Sequence, residues 1–331
     1  MQAMVVTEFG SEQVLQLREV SDPVPGEHDL LIEVHASAMN PVDWKVRTSG
    51  LGMPRQFPFI LGFDVSGIVK AKGDRVDGFR IGDAVYASPS LARDGSNAEL
   101  VCVDARTAAI KPASLDDAAA AAMPLVTLTA WEALHERARA QPGQTVLIHA
   151  GAGGVGHIAI QMAKLHGCRV ITTASRPESI AYCKQLGADL VINYREEDFV
   201  ESVRDYTRGA GCHVVFDTVG DDVFGKSLEC VGVEGNLVTC CRCDTRGVLE
   251  ALFFKNASLH FEFMGAPTVH GVHPESQGRI LVHCAQLADD GKLTPHVGAT
   301  LPLEQLPEAH RMQRGGHTMG KIVLDVTGRI D

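Results

Sequence analysis

The sequence predicts an α/β protein of two domains, one β-rich and one built on a parallel, doubly wound sheet. Three observations point there. At 331 residues the chain is long for a single domain. From residue 145 onward, strand-like and helix-like segments alternate regularly. A glycine-rich hexad, Gly151-Ala152-Gly153-Gly154-Val155-Gly156, stands between the first of those strands and the helix after it.

The first 110 residues carry short apolar or alternating runs at 3–7, 30–36, 60–70, 84–87 and 99–103, separated by Pro, Gly and Asp. Runs of that length predict strands of a Greek-key-like partial barrel. A helix start is expected at 116–122 and a second helical stretch at 129–138. In the alternating region, strands are predicted at 145–149, 169–173, 190–193, 213–217, 236–240 and 259–263. Helices are predicted at 155–166 and 178–186, with Gly167 closing the first of them. After Pro267 the alternation ends, leaving a helix near 280–288 and strands at 296–301 and 321–326.

Composition narrows the function classes. Forty-one acidic against thirty basic residues give a net charge of −11, which argues against a nucleic-acid surface or an anionic membrane partner. Nine cysteines, an odd number without a regular framework, suit a reducing compartment. Met1-Gln2-Ala3-Met4-Val5 has no basic leader region, and the longest apolar run, 118–131, is broken by Pro124. The expectation is a cytoplasmic protein without membrane spans.

The hexad matches GxGxxG in the strand–turn–helix context that dinucleotide binding requires. Gly151 would make the tight turn, Gly153 would let backbone approach a pyrophosphate, and Gly156 would let helix pack on strand. The helix start at Gly154 and Val155 would offer N–H groups to the anion. The next strand ends in Ala174-Ser175-Arg176, without the carboxylate that usually holds a ribose 2′-hydroxyl. A hydroxyl and a guanidinium in that place predict NADP(H).

Several motifs together resemble the zinc-independent quinone oxidoreductase branch of the medium-chain dehydrogenase/reductase (alcohol dehydrogenase) superfamily. They are Ala38-Met39-Asn40-Pro41-Val42-Asp43, Leu61-Gly62-Phe63-Asp64-Val65-Ser66-Gly67, Gly82-Asp83-Ala84-Val85-Tyr86, Thr129-Ala130-Trp131, Val191-Ile192-Asn193-Tyr194 and Phe216-Asp217-Thr218-Val219-Gly220. The resemblance runs nearly the whole length of the chain. It implies a GroES-like catalytic domain of residues 1–124 and 267–331 around a Rossmann NADP(H)-binding domain of residues 125–266. It also implies a homodimer or homotetramer, often joined sheet edge to sheet edge.

Followed residue by residue, the zinc ligands of metal-dependent members fall at Asn40, Phe63 and Pro124. Neither Phe63 nor Pro124 has a ligand atom, and an Asn amide is a poor one, so no metal is expected. The resemblance places Asn40, Asp43 and Thr129 at the catalytic end. Asn40, held extended by Pro41, would donate to a developing oxyanion. Asp43 is either catalytic or the structural partner of Lys321 in Met319-Gly320-Lys321. Lys321 and Tyr194 join Ser175 and Arg176 as expected cofactor contacts, Tyr194 at the adenosine end.

Two further features take plain readings. Cys240-Cys241-Arg242-Cys243 lacks a partner pair and is expected to be buried thiols at a strand end. His270 and His273 lie in a Gly/Pro loop without a third ligand. The expected activity is hydride transfer from NADPH to a quinone or other small conjugated carbonyl. The alternatives are an enone or enoyl-thioester double-bond reductase, and an NADPH-binding structural or regulatory protein.

Overall fold

The computed structural model describes residues 1–244, 246–316 and 318–328. The chain divides into two compact units, Met1–Leu128 with Gly265–Asp331, and Thr129–Met264. The first division lies inside a helix and not at Pro124. A proline can start a helix, where its missing N–H has no partner to lose, so Pro124 opens this one and the chain continues through it.

In the first unit β1 (Gln2–Val6), β2 (Leu15–Glu19) and β3 (Asp29–Ala38) are followed by α1 (Pro41–Ser49). Then come β4 (Phe59–Ile60), β5 (Val65–Lys72), β6 (Ala84–Ala87), β7 (Leu100–Asp104), β8 (Ala108–Ile110), α2 (Asp117–Ala121) and α3 (Pro124–Trp131). The helix α1 and the strands β2 and β8 have no counterpart in the sequence expectations. PVDWKVRTS carries too little apolar periodicity to read as a helix; its two ends fix it instead. Asn40 and Asp43 form a reciprocal capping box at the start, and Gly50 closes it in the left-handed region. A π-helical turn, Glu132–Arg137, continues α3 across the predicted 129–138 stretch.

The second unit alternates without interruption. Its elements are β9 (Thr145–Ile148), α4 (Gly154–Leu165), β10 (Arg169–Ala174), α5 (Pro177–Gln185), β11 (Leu190–Asn193) and α6 (Phe199–Tyr206). They continue with β12 (Cys212–Asp217), α7 (Asp221–Cys230), β13 (Val231–Thr239), α8 (Val248–Phe253) and β14 (Ser258–Phe261). The strands run β11-β10-β9-β12-β13-β14, every neighbouring pair parallel. The order reverses between β9 and β12, and a doubly wound sheet opens its ligand crevice at such a reversal. One face packs Leu147, Ile171, Ile192, Val215 and Leu237 against Phe199, Val203 and Phe224 from α6 and α7.

The returning segment adds α9 (Ala266–His270), α10 (Glu275–Asp289), β15 (Val297–Pro302), α11 (Leu306–Gly315) and β16 (Lys321–Asp325) to the first unit. His270 thus ends a short helix, closed by Gly271 with positive φ, and does not sit in an open loop. The main sheet runs β15-β16-β3-β5-β6-β8, with β7 also on β3. Leu30, Ile32, Val34, Val65, Val69, Val85 and Val101 fill its core. The Tyr86 hydroxyl donates to the Leu281 carbonyl at 2.6 Å and ties α10 to β6. Among the described residues no helix is long and apolar enough to cross a membrane.

Candidate functional site

The glycine turn after β9 is shaped by what cannot be accommodated there. A side chain on Gly156 would meet the Ala150 carbonyl at 2.2 Å, and one on Gly151 the Thr172 hydroxyl at 2.1 Å. Both glycines therefore let backbone and helix close on one another, as expected for Gly156. The left-handed residue of the turn is not a glycine but Ala150, at φ 51°. For a residue with a side chain that conformation costs about 1–2 kcal/mol. Thr173 compensates: its hydroxyl accepts the Ala150 N–H at 3.0 Å and its carbonyl the Gly151 N–H at 3.0 Å.

Gly153 is the extended N-cap of α4, and a side chain there would meet only the Ala150 carbonyl, at 3.2 Å. The first turn of α4, from Gly154 through Val155 and Gly156, contains no acidic residue. Its N–H groups lack intrahelical acceptors, and the positive end of the helix dipole lies there. A diphosphate suits this cradle.

At the end of β10 the Ser175 hydroxyl donates to the Tyr194 hydroxyl at 3.1 Å, so these two expected cofactor residues stand together. Arg176, the extended N-cap of α5, is 32% exposed and lies 3.3 Å from Glu178. Its guanidinium has a carboxylate neighbour in the first turn of α5 that the sequence reading did not weigh. His149, at the end of β9, is buried, with Ser227 and Thr173 hydroxyls on its two ring nitrogens. Burial pushes it down to about 4, so it is neutral in the core. Asp217, missed by the sequence reading, is buried and accepts from the Val219 and Gly220 N–H groups and the Thr239 hydroxyl.

In the first unit four polar side chains from three stretches of chain meet in the interior: Asn40, Asp43, Asp64 and Lys321. The antiparallel register of β3 on β16, Ala38 opposite Val323, carries on to set Asn40 opposite Lys321. Lys321 donates to Asp64 Oδ2 at 2.9 Å and to Asn40 Oδ1. Asp64 also accepts from Asn40 Nδ2 and from the Leu125 N–H, each at 2.7 Å. It therefore sits at the positive start of α3. Burial pushes the Asp64 carboxyl up, against the pull of the Lys321 ammonium and those N–H donors.

This arrangement differs from the expectation on three points. Asp43 is not the direct partner of Lys321; Asp64 is. Asp43 instead accepts the Asn40 N–H at 2.8 Å and the Gly62 N–H at 3.1 Å, and burial pushes it up to about 7. The amide hydrogens of Asn40 go to Asp64 and, at 3.3 Å, to the Ala38 carbonyl, leaving none for a substrate oxygen in this arrangement. Lys321, 2% exposed, has its ammonium turned to Asn40 and Asp64. Thr129 is buried on α3.

The residues aligned with zinc ligands converge on that same cluster. Asn40 contacts Lys321 directly, Phe63 is the neighbour of Asp64, and Pro124 the neighbour of Leu125. The buried Lys321 ammonium already holds the Asn40 oxygen, and the side chains of Phe63 and Pro124 supply no donor atom. The donor set does not fit a zinc ion.

Comparison with known proteins gives the family. Residues 26–114 match the alcohol dehydrogenase GroES-like domain and residues 186–324 the zinc-binding dehydrogenase domain. The human quinone oxidoreductase is 30% identical over 98% of this chain and 97% of its own. The chain belongs to the quinone oxidoreductase branch of the medium-chain dehydrogenase/reductase superfamily. Two solved quinone oxidoreductases share the fold. That from Coxiella burnetii has a TM-score of 0.87 at 33% identity, over 98% of this chain and 99% of that one. The Escherichia coli enzyme, solved in complex with NADPH, has 0.89 at 29%, over 98% and 100%. In this branch member, the segment matched to the zinc-binding dehydrogenase domain begins after Asn40, Phe63 and Pro124, so that match carries no statement about those positions.

Proposed function

We propose that this chain is a zinc-independent NADPH-dependent reductase of quinones or other small conjugated carbonyl compounds, working in the cytoplasm as a homodimer or homotetramer. The observation that carries the cofactor assignment is the acid-free end of β10, where Ser175, Tyr194 and Arg176 stand together beside the glycine turn. The NADPH complex of the E. coli relative supports it. Gly151, Gly153 and the first turn of α4 would hold the diphosphate; Ser175, Arg176 and Tyr194 would hold the 2′-phosphate. When bound, NADPH supplies the hydride.

The protein's own share is positioning. With its amide engaged by Asp64 and Lys321, Asn40 acts as a positioning residue. Asp43 fixes α1 by accepting N–H groups from both Asn40 and Gly62. Thr129 is the remaining candidate for direct contact with the substrate. The names of the human and Coxiella relatives support quinones as the substrate class.

A panel of quinones, enones, enoyl thioesters and alcohols, each with NADPH and NADH, tests the reading. Turnover of quinones with NADPH is expected. Preference for enones or thioesters would move the substrate to the double-bond reductases, and no turnover of any member would leave a binding protein.

An open sheet edge supports self-association: among the described residues β14 pairs only with β13, and it exposes Phe261, near in sequence to the exposed Phe253 and Phe254. An unpaired strand edge is a template for a second copy. Phe261→Lys should shift the sedimentation of the protein toward the monomer; an unchanged oligomer would place its interface elsewhere.

A further inference from the structure

Cys240, Cys241 and Cys243 differ from the other six cysteines. Cys102, Cys168, Cys183, Cys212, Cys230 and Cys284 are buried, whereas these three are half-buried, just past the end of β13. The sequence expectation of buried thiols at a strand end is corrected here: β13 stops at Thr239, and the three follow in a turn with no regular pairing.

That turn lies against the cofactor end of the sheet. The Cys240 N–H donates to the Asp217 carbonyl at 3.2 Å and the Cys241 N–H to the Thr239 hydroxyl at 3.2 Å. A side chain on Gly220 would stand 2.9 Å from both the Cys241 β-carbon and the Arg242 carbonyl, so the Asp217–Gly220 loop rests directly on the cysteines. The same loop is tied to the glycine turn, because the Thr218 hydroxyl donates to the His149 carbonyl at 2.8 Å. Cys241, Gly220, Thr218 and His149 thus form one contact path ending next to Ala150 and Gly151.

We propose that residues 240–243 are a covalent capture site for soft electrophiles, small conjugated carbonyl compounds foremost, and that an adduct there weakens NADPH binding. The second half rests on the cofactor reading above; the first does not. In the addition, a thiolate sulfur gives an electron pair to the β-carbon of the conjugated double bond and a C–S bond forms. The π pair moves to an enolate, which takes a proton from water. The net change is the thiol added across the double bond, with nothing oxidised or reduced. The thiolate is the attacking form and access decides which thiol reacts. Burial works against the other six: it pushes Cys102 to about 11 and Cys183, Cys230 and Cys284 to about 12. Burial and Asp217 raise Cys243 as well; Cys240 and Cys241, half-buried and next to the Asp217–Gly220 loop, are the positions assigned to the adduct.

The test is limited labelling of the folded protein with N-ethylmaleimide, followed by peptide mass spectrometry. Trypsin cuts after Arg242, so Cys243 falls on a different peptide from Cys240 and Cys241. Adducts on Cys240 or Cys241 should form several-fold faster than on the buried six, because access decides which thiol reacts. Labelled protein should bind NADPH more weakly in a fluorescence titration, and saturating NADPH should slow labelling at these positions. The double variant Cys240→Ser/Cys241→Ser should bind NADPH as the parent does and keep that affinity after maleimide treatment. First labelling at Cys102 or Cys284 would overturn the capture site. Fast labelling at Cys240 with unchanged NADPH affinity would overturn the coupling. Failure of the untreated protein to bind NADPH at all would instead bring down the cofactor reading.

Discussion

Two polar constellations organise this protein, and they are built in opposite ways. The glycine turn of the second unit comes from one continuous stretch, and its chemistry is backbone N–H groups and the space left by absent side chains. The buried cluster of the first unit comes from three stretches, and its chemistry is an ammonium, two carboxyl groups and an amide removed from water. The turn has little electrostatic energy of its own until an anion arrives. The cluster holds its polar groups against one another with or without a ligand, so each partner is held by the others.

That difference predicts where damage should be greatest. Lys321→Met leaves Asp64 buried with its N–H donors but without a compensating charge, and loss of one partner of a buried pair costs about 3–5 kcal/mol. Urea unfolding should show that loss. Adding Asp64→Asn to Lys321→Met should recover part of it, since neither charge then remains. Arg176→Ala, which touches only the exposed cofactor end, should stay within about 0.5 kcal/mol of the parent. Equal losses for Lys321→Met and Arg176→Ala would erase the contrast between the two regions.

The same contrast explains what could be read in advance. Strand–helix alternation is a local periodicity, so the six strands of the second unit and the glycine turn were legible within a residue or two, save β13, which starts five residues early at Val231. The helix α1 was not, because its apolar residues are few and its capping box had been read only as a motif around Asn40. Asp64 was quoted within Leu61-Gly62-Phe63-Asp64 yet not singled out. Nothing in its neighbourhood announces that residues 40, 125 and 321 will converge on it; β-register does that. The motif around Asn40 marked the place correctly but not its hydrogen bonds. Ala150 was likewise invisible, since left-handed backbone at a non-glycine residue has no composition signal.

The second unit also buries carboxyl groups, and one of them gives a smaller, pH-dependent test. Glu262 follows β14 and lies 3.1 Å from Arg137, with no side-chain exposure. Burial first, and then a hydrogen bond to Glu132, push its carboxyl up to about 9 from the ordinary 4.5. A raised acid keeps its proton in the folded state while the unfolded chain has lost it. Its contribution is therefore complete below 4.5 and is lost as pH rises through about 9. Glu262→Gln, which keeps a donor toward Glu132 without a titrating proton, should flatten the fall in stability over that window. The expected gain at the alkaline end is about 1–3 kcal/mol, the scale of one unsatisfied buried polar group. Parallel pH profiles for parent and variant would show that Arg137 already holds Glu262 ionised.

The smallest effect is expected at the cofactor end, where the charges are exposed and screened. Arg176 is the residue assigned to the 2′-phosphate, yet Glu178 stands 3.3 Å from its guanidinium in the first turn of α5. A phosphate arriving there must compete with a carboxylate for Arg176 and is repelled by it as well. Both partners are partly exposed, at 32% and 55%, so the pair is worth about 0–1 kcal/mol. Glu178→Gln should therefore tighten NADPH by up to about fivefold, the factor that about 1 kcal/mol sets, and leave NADH unchanged because NADH has no 2′-phosphate. Arg176→Ala should do the reverse, weakening NADPH alone. Paired fluorescence titrations read both variants against both cofactors. Glu178→Gln tightening NADPH and NADH equally would mean that Glu178 acts on the diphosphate or on α5 as a whole. Arg176 would then lose its claim to the 2′-phosphate, and selection would fall to Ser175 and Tyr194, whose hydroxyls already stand 3.1 Å apart at that end of the sheet.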